Sequence, residues 1–227
     1  MKMNQANQAF GGSSDRWFSP ERMHKYRQVL PSAPEDLYVW NAKLSKAYLV
    51  DLQHIEVALR NVINRALVPE FGRLWFNYRY PESGPQIAFR AEAKKSIDKA
   101  IKRSQWSADQ PPGMVIAELT FDFWYYLLSA HYRPIVWPKV LRQLSARADW
   151  QEFHGQVRAC YWLRNRVAHH EPLIKADYTV EMAYLDEVSA AISQVARWID
   201  PALDTWVHFY SDVATLHAQR PVVLREE

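Results

Sequence analysis

The chain has 227 residues, of which 48% are apolar and 14% aromatic, so it can bury the core of a domain of ordinary size. Six glycines and thirteen prolines favour helices separated by proline-marked turns and argue against a sandwich or barrel built from many hairpins. The net charge of +3 does not by itself identify a nucleic-acid partner, and the single cysteine, Cys160, excludes an internal disulfide and a cysteine-based metal site.

The first third of the chain predicts a tail followed by long amphipathic helices. Residues 1–19 contain Asn, Gln, Gly and Ser without an apolar period, which is typical of a flexible tail. The segment Ser-Ala-Pro-Glu at residues 32–35 resembles a capping box with proline in the first turn, so a helix should begin there. Apolar residues at helical spacing then continue and end before Pro69. This pattern fits either two helices or one bent helix.

The middle of the chain predicts a basic helix and a buried one. After an aromatic, proline-rich connection, the helix at residues 86–105 carries an excess of basic side chains. Residues 114–131 are apolar on nearly every side, which indicates a central buried helix. Pro134 and Pro138 then predict a turn before a short helix that begins at Lys139.

The last third of the chain predicts further helices. A helix over residues 151–169 should end before Pro172, because the residue that precedes a proline is pushed away from the α region. Asp177 or Thr179 can cap the next helix, whose apolar stripe covers residues 180–199.

These elements predict an all-α fold. Asp-Pro at residues 200–201 restarts a last helix toward residue 217, and no strand pattern of convincing length is present. We expect a bundle of six to eight helices that forms a single domain over residues 20–227. The N-terminal residues lack the apolar segment of a signal peptide, and the longest wholly apolar run covers only residues 123–128. The sequence therefore predicts a soluble, cytoplasmic protein without a membrane partner.

The most informative stretch is Tyr-Trp-Leu-Arg-Asn-Arg-Val-Ala-His-His-Glu-Pro at residues 161–172. Asn165 and His169 are four residues apart and share a helix face, so the amide can orient the imidazole. Arg164 lies about 140° around a regular helix from His169. Unwinding of the last turn near Pro172 would bring the two side chains closer together.

An arginine and a histidine together suit RNA cleavage that needs no metal cofactor. The imidazole of His169 can remove a proton from a ribose 2′-hydroxyl or protonate the leaving oxygen. The guanidinium of Arg164 can hold two phosphate oxygens and stabilise the charge of the pentacoordinate state. One arginine and one histidine are an incomplete set for both proton transfers.

The spacing of Arg164, Asn165 and His169 resembles the R-x4-H signature of ribonucleases of the HEPN superfamily. Residues 55–61, 115–124 and 164–172 are similar, in the same order, to three helical blocks of that superfamily's Abi-like, or abortive-infection, branch. The resemblance implies a HEPN-like helical bundle with additional helices, and a homodimer that joins two motifs at one cleft. It also implies an endoribonuclease that acts on cellular RNA, with tRNA as one candidate. Its role would be that of a toxin or antiviral-defence effector, controlled by an antitoxin or regulatory partner.

Other residues leave alternatives open. His170 fits a five-residue spacing from the arginine, which the superfamily also tolerates, so it is a second candidate imidazole. Glu56 and Arg60 are either an i,i+4 ion pair on a helix surface or a support of the catalytic face. Adjacent residues such as His169 and His170 diverge by about 100° on a helix, so we expect no metal site.

The basic helix also has two interpretations. Its cations either bind RNA phosphates or form a solvated face. The candidate RNA-binding residues are Lys94, Lys95, Lys99, Lys102 and Arg103. For the whole protein, the alternative to an enzyme is a non-catalytic HEPN module that dimerises or binds RNA together with a partner protein.

Overall fold

The computed structural model describes residues 13–80 and 83–222, which contain eleven α-helices and no strand. The helices are α1 (Ser13–Phe18), α2 (Pro20–Val29), α3 (Pro34–Phe71), α4 (Ala91–Ser104), α5 (Gly113–Glu118), α6 (Phe121–Leu127), α7 (Arg133–Leu141), α8 (Trp150–Ala168), α9 (Tyr178–Ile199), α10 (Pro201–Tyr210) and α11 (Val213–Ala218). The predicted all-α class is confirmed, with more helices than expected. None of these helices has both the length and the apolar character needed to cross a membrane.

The tail predicted for residues 1–19 needs a correction at its C-terminal end, where α1 is helical. The rest of that prediction, residues 1–12, lies outside the described residues. The hydroxyl of Ser14 donates to Glu35 at 2.8 Å, and the ring of Phe18 stacks on Tyr38 at 4.5 Å between centroids. Both partners belong to α3. Local composition could not reveal these contacts, because they form only after the chain folds.

The question of one helix or two in the N-terminal half has a clear answer, because α3 is continuous over 38 residues. It includes Pro69 and therefore runs past the predicted end. In this last turn Glu70 forms an ion pair with Lys139 of α7 at 3.0 Å, and the same ammonium lies 5.2 Å from the ring centroid of Phe71. The proline removes one backbone hydrogen bond, and these two contacts join the turn to α7.

The single buried helix predicted for residues 114–131 is wrong. α5 and α6 are separate, and the backbone is extended at Leu119 and Thr120 between them. The indole N–H of Trp124 donates to the carbonyl of Leu119 at 3.0 Å in a buried position, so the break leaves that polar group satisfied. The apolar pattern could not show the break, because side chains are buried on both sides of it.

The prolines of α7 also correct the prediction. Pro134 and Pro138 both lie inside this helix, which begins before Lys139 rather than at it. Proline in the first turn is harmless, because its missing N–H would have no helical partner. Near the C-terminus, the last predicted helix is divided into α10 and α11, and the hydroxyl of Ser211 between them donates to Asp51 at 2.7 Å.

The two helices that flank the motif agree closely with the prediction. α8 begins and ends one residue before the predicted bounds. α9 begins at Tyr178, and the carboxylate of Asp177 accepts a hydrogen bond from the backbone of Val180 at 3.0 Å. Asp177 rather than Thr179 is therefore the side chain that caps this helix.

The chain divides into two compact units, and α3, α8, α9 and α10 contribute residues to both. The first, here called the motif unit, comprises the described parts of residues 1–52, 162–190 and 208–227. Its interior holds an ion pair between Glu181, which is fully buried, and Arg220, whose side chain is 7% exposed. The second oxygen of the carboxylate also accepts the backbone N–H of Lys175 at 2.9 Å.

The second unit, here called the central unit, comprises residues 191–207 and the described part of residues 53–161. It contains a column of mostly half-buried stacked rings: Trp150 on His154 at 5.2 Å, His154 on Tyr125 at 5.1 Å, and Tyr125 on Tyr161 at 4.6 Å. Burial lowers the pKa of His154, and Arg158 adds to this effect. Both effects favour the neutral form of this ring inside the column.

Candidate active site

The predicted motif lies at the C-terminal end of α8, in the motif unit. The backbone N–H of His170 donates to the carbonyl of Val167 at 3.1 Å. The N–H of Glu171 donates to the carbonyl of Arg166 at 2.9 Å. This pair of bonds is a Schellman motif, and His170 occupies its left-handed position with φ 57°. Glycine is the usual residue there, although histidine tolerates the conformation better than most side chains do.

The α8 helix keeps regular α-helical hydrogen bonding through the whole segment from Arg164 to His169. The N–H of His169 donates to the carbonyl of Asn165 at 2.9 Å, so α-helical bonding continues to His169. The side chains of Arg164 and His169 therefore leave one helix about 140° apart. The last turn does not unwind to bring them together. Arg164 and Asn165 are partly buried, and His169 is exposed.

The amide of Asn165 contacts the arginine of the motif. Its oxygen accepts a hydrogen bond from Nη1 of Arg164 at 3.4 Å, which is long for such a bond. Asn165 and His169 still share a helix face because they are four residues apart. The role of Asn165 in orienting the imidazole of His169 stays a prediction. In the structure its amide contacts the guanidinium of Arg164 instead.

Arg22 is a neighbour of the motif that the sequence analysis missed. Its guanidinium donates to the carbonyl of His170 at 2.8 Å and so connects α2 to the turn after α8. A local signal for α2 existed: Ser19, Pro20 and Glu21 place a serine cap, a first-turn proline and an acidic residue at its start. The contact with His170 could not be inferred, because the two residues are 148 positions apart.

A groove lies beside this turn, between α1, α2, α3 and the end of α8. We call it the α2 groove, and it has a volume of about 580 Å³. Its lining includes Trp17, Phe18, Arg22, Tyr26, Ser45 and His170. All of these residues belong to the motif unit. His170 is the imidazole of the pair that lines the groove.

The predicted supporting residues, Glu56 and Arg60, belong to the central unit. Nη1 of Arg60 donates to the carbonyl of Ala117 at 3.1 Å. That carbonyl lies in the last turn of α5, where helical N–H partners are lacking, so Arg60 stabilises the end of this short helix. Glu56 is partly buried on the same face of α3. Their support of a catalytic face stays a prediction.

The basic helix α4 presents its predicted cations to solvent. The five exposed side chains are Lys94, Lys95, Lys99, Lys102 and Arg103. They lie opposite Ile97 and Ala100, which are buried. Asp98 on the same helix is paired with Arg79 at 2.7 and 3.0 Å, and these hydrogen bonds hold the pKa of its carboxyl below the ordinary value. Because an arginine from outside the helix pairs with Asp98, the exposed side of α4 keeps an excess of positive charge, with Glu92 as an exposed acidic side chain on the same helix.

The described residues, 13–80 and 83–222, contain no group of three or more His, Cys, Asp or Glu side chains placed to hold a metal ion. At the motif, the two histidines leave the backbone in different conformations, since His169 ends the helical bonding and His170 is left-handed.

Comparison with known proteins gives one informative match. The family model described as Abi-like protein matches residues 13–175, well over half of the chain. The matched segment extends from α1 to beyond the motif and includes every residue named in the α2 groove. No match was found among curated proteins or among solved structures. On the strength of the family match, the chain belongs to the Abi-like protein family.

Proposed function

We propose that this Abi-like protein is a metal-independent endoribonuclease of the HEPN type that works as a homodimer in the cytoplasm. Its substrate would be cellular RNA, with tRNA as one candidate. Its biological role would be abortive infection, as a toxin or phage-defence effector controlled by an antitoxin or regulatory partner. Family membership supports the defence role, and the chemistry of Arg164 and His169 supports the nuclease.

The observation that carries the proposal is the geometry at the end of α8. Arg164 is partly buried, His169 is exposed, and the two diverge on a regular helix, so one copy presents an arginine on one side and an imidazole on another. Two copies related by a twofold axis can place the arginine of each near the histidine of the other. A shared cleft would then contain two imidazoles, one for each proton transfer.

The reaction follows from these two groups. A neutral His169 would take the proton of a ribose 2′-hydroxyl, and the resulting oxygen would attack the adjacent phosphorus. The bond from phosphorus to the 5′-oxygen would break, and the second copy's protonated imidazole would supply a proton to that oxygen. Arg164 would stabilise the added negative charge on the phosphorus centre. The products would be a 2′,3′-cyclic phosphate and a 5′-hydroxyl.

The exposed face of α4 supports RNA as the substrate. Five cations on one helical face, with Asp98 paired to Arg79, provide a track for a phosphate backbone. Such contacts are independent of base sequence, so they would contribute affinity and its salt dependence. Replacing Lys95 and Lys99 together by glutamine should weaken RNA binding and flatten its dependence on salt, as a filter-binding assay would measure.

Purified protein and matched oligonucleotides test the proposal. Wild-type protein should cleave RNA with or without EDTA and should fail when the ribose at the cut site is 2′-deoxy. Arg164→Ala should reduce the rate by about a hundredfold or more. Arg158→Ala is the control, because Arg158 is an exposed arginine on the same helix outside the motif.

Two results would contradict the proposal. Cleavage that EDTA abolishes, or that ignores 2′-deoxy substitution, would require another mechanism. RNA binding without any cleavage would favour the alternative, a non-catalytic module that acts with a partner. The natural substrate can be identified by sequencing RNA ends after brief induction of the protein in bacteria.

A further inference from the structure

Two residues that line the α2 groove, Tyr26 and Ser45, carry buried hydroxyl groups without hydrogen-bond partners among the described residues. Tyr26 is fully buried and Ser45 is 9% exposed, and both line the groove. In the described part of the chain, neither hydroxyl has a hydrogen bond. A buried hydroxyl that lacks a partner destabilises the folded protein, so such groups in a functional protein need an explanation. A polar ligand in the groove would provide one.

The rim of the groove offers aromatic and cationic groups. Trp17 is 58% exposed and Phe18 is 37% exposed, although a folded chain usually buries most of such rings. Arg22 and the exposed Lys46 add positive charge. Aromatic rings stack on the faces of unpaired bases, and basic side chains attract phosphate. The combination fits one unpaired ribonucleotide better than an apolar or a cationic ligand.

The groove borders the side of α8 that carries the motif arginine. Val167 lines the groove, and Arg164 lies one turn before it, about 60° around the helix. His170 lines the groove as well. A nucleotide in the groove would therefore lie one helical turn from the residue that we propose holds the phosphate, Arg164.

We infer that the α2 groove binds one unpaired nucleobase of the RNA beside the scissile phosphate, and that the hydroxyls of Tyr26 and Ser45 hydrogen-bond the edge of this base. The groove would then select which base stands next to the cut. This inference rests on the proposed ribonuclease function and adds a specificity subsite to it. Trp17 supplies stacking, which tolerates every base, so selection depends on the two hydroxyls.

The first test uses the full-length protein and the four ribonucleoside 3′-monophosphates as probes. Calorimetry should show that one base binds best, and sequencing of cleaved RNA ends should show the same base beside the cut. Tyr26→Phe and Ser45→Ala should each weaken binding of the preferred nucleotide about fivefold and reduce the base preference. Neither variant should lower Tm, because neither removes an existing hydrogen bond.

The second test separates stacking from selection. Trp17→Ala should weaken binding of all four nucleotides about tenfold and leave their order unchanged. Trp206→Ala is the matched control, because this tryptophan is 50% exposed and is not part of the groove lining. Equal weakening by the two tryptophan variants would contradict a specific role for Trp17.

The outcomes distinguish the groove from the nuclease. If Tyr26→Phe and Ser45→Ala both cleave RNA normally and keep the base preference, the proposed base-binding role of the groove is wrong, while the ribonuclease proposal remains intact. If the wild-type protein cleaves no RNA but binds one nucleotide selectively, and these variants weaken that binding, the base-binding role of the groove is supported and the ribonuclease proposal is wrong. A lower Tm in Tyr26→Phe and Ser45→Ala without any change in nucleotide binding would show that the hydroxyls are structural, which also overturns the inference.

Discussion

The adjacent histidines of the motif can be distinguished by substitutions that separate the imidazole from the backbone. His170 has φ 57°, a conformation that glycine adopts freely and a β-branched residue resists. His170→Gly and His170→Val both remove the imidazole, but they change the backbone preference in opposite directions. His169→Ala removes the other imidazole from an exposed position at the end of a regular helix.

The expected changes in stability follow from the backbone. Glycine relieves a left-handed strain of roughly 1 kcal/mol, and its greater freedom in the unfolded chain offsets about 0.5–1 kcal/mol of that gain. His170→Gly should therefore stay within about 1 kcal/mol of wild type. His170→Val should lose about 1–2 kcal/mol, which lowers Tm by roughly 2–8 °C for a chain of this size. His169→Ala should change stability by less than about 0.5 kcal/mol.

The expected changes in activity follow from the roles proposed above. His169→Ala should lower the rate of RNA cleavage by about a hundredfold or more, because it removes the imidazole that we propose transfers the proton. His170→Gly should cause a much smaller loss. Initial rates on one fluorescent RNA, measured well below Tm, give the comparison. A loss of about a hundredfold in His170→Gly together with full activity in His169→Ala would show that the catalytic imidazole is His170. The assignment to His169 would then be wrong.

Three further results are expected. Light scattering should give a mass near twice 26.7 kDa, and a strict monomer would rule out the shared cleft. Arg220→Met should lower the free energy of unfolding by about 3–5 kcal/mol, because it leaves the buried carboxylate of Glu181 without its cationic partner. The double variant with Glu181→Gln should recover part of this loss, and urea titrations measure both values. Since burial lowers the pKa of His154, the unfolded chain binds more protons below about pH 6.5, and stability should fall as the pH drops from there. This dependence should be weaker in His154→Phe, and an unchanged slope would contradict its assignment to His154.

The elements that the sequence predicted well are those marked by local signals, such as a proline, a capping residue or a helical period. α8 ends where Pro172 requires it, and α9 begins after an aspartate that caps it. The basic face of α4 follows directly from periodicity, because five cations repeat at helical spacing opposite two apolar residues. In each case the decisive interaction joins residues only a few positions apart.

The features that the sequence did not predict depend on distant partners. The break between α5 and α6 is stabilised by a side-chain bond from Trp124 that an apolar run does not reveal. The α2 groove joins residues near position 20 to residues near position 170, so periodicity in either segment carries no information about it. The spacing of the motif predicts Arg164 and His169 as the catalytic pair, but the left-handed turn at His170 follows from backbone bonds that spacing alone does not specify.

The family match ends at residue 175, but the folded unit that holds the motif does not. The hydroxyl of Tyr48 on α3 lies 2.9 Å from that of Ser189 and donates to the carbonyl of Leu185 at 3.2 Å, so α9 is part of the same interior. A protein shortened to the matched residues would expose this interior. Experiments that exchange motif regions between Abi-like proteins should therefore transfer the segment through Arg220 together with the motif.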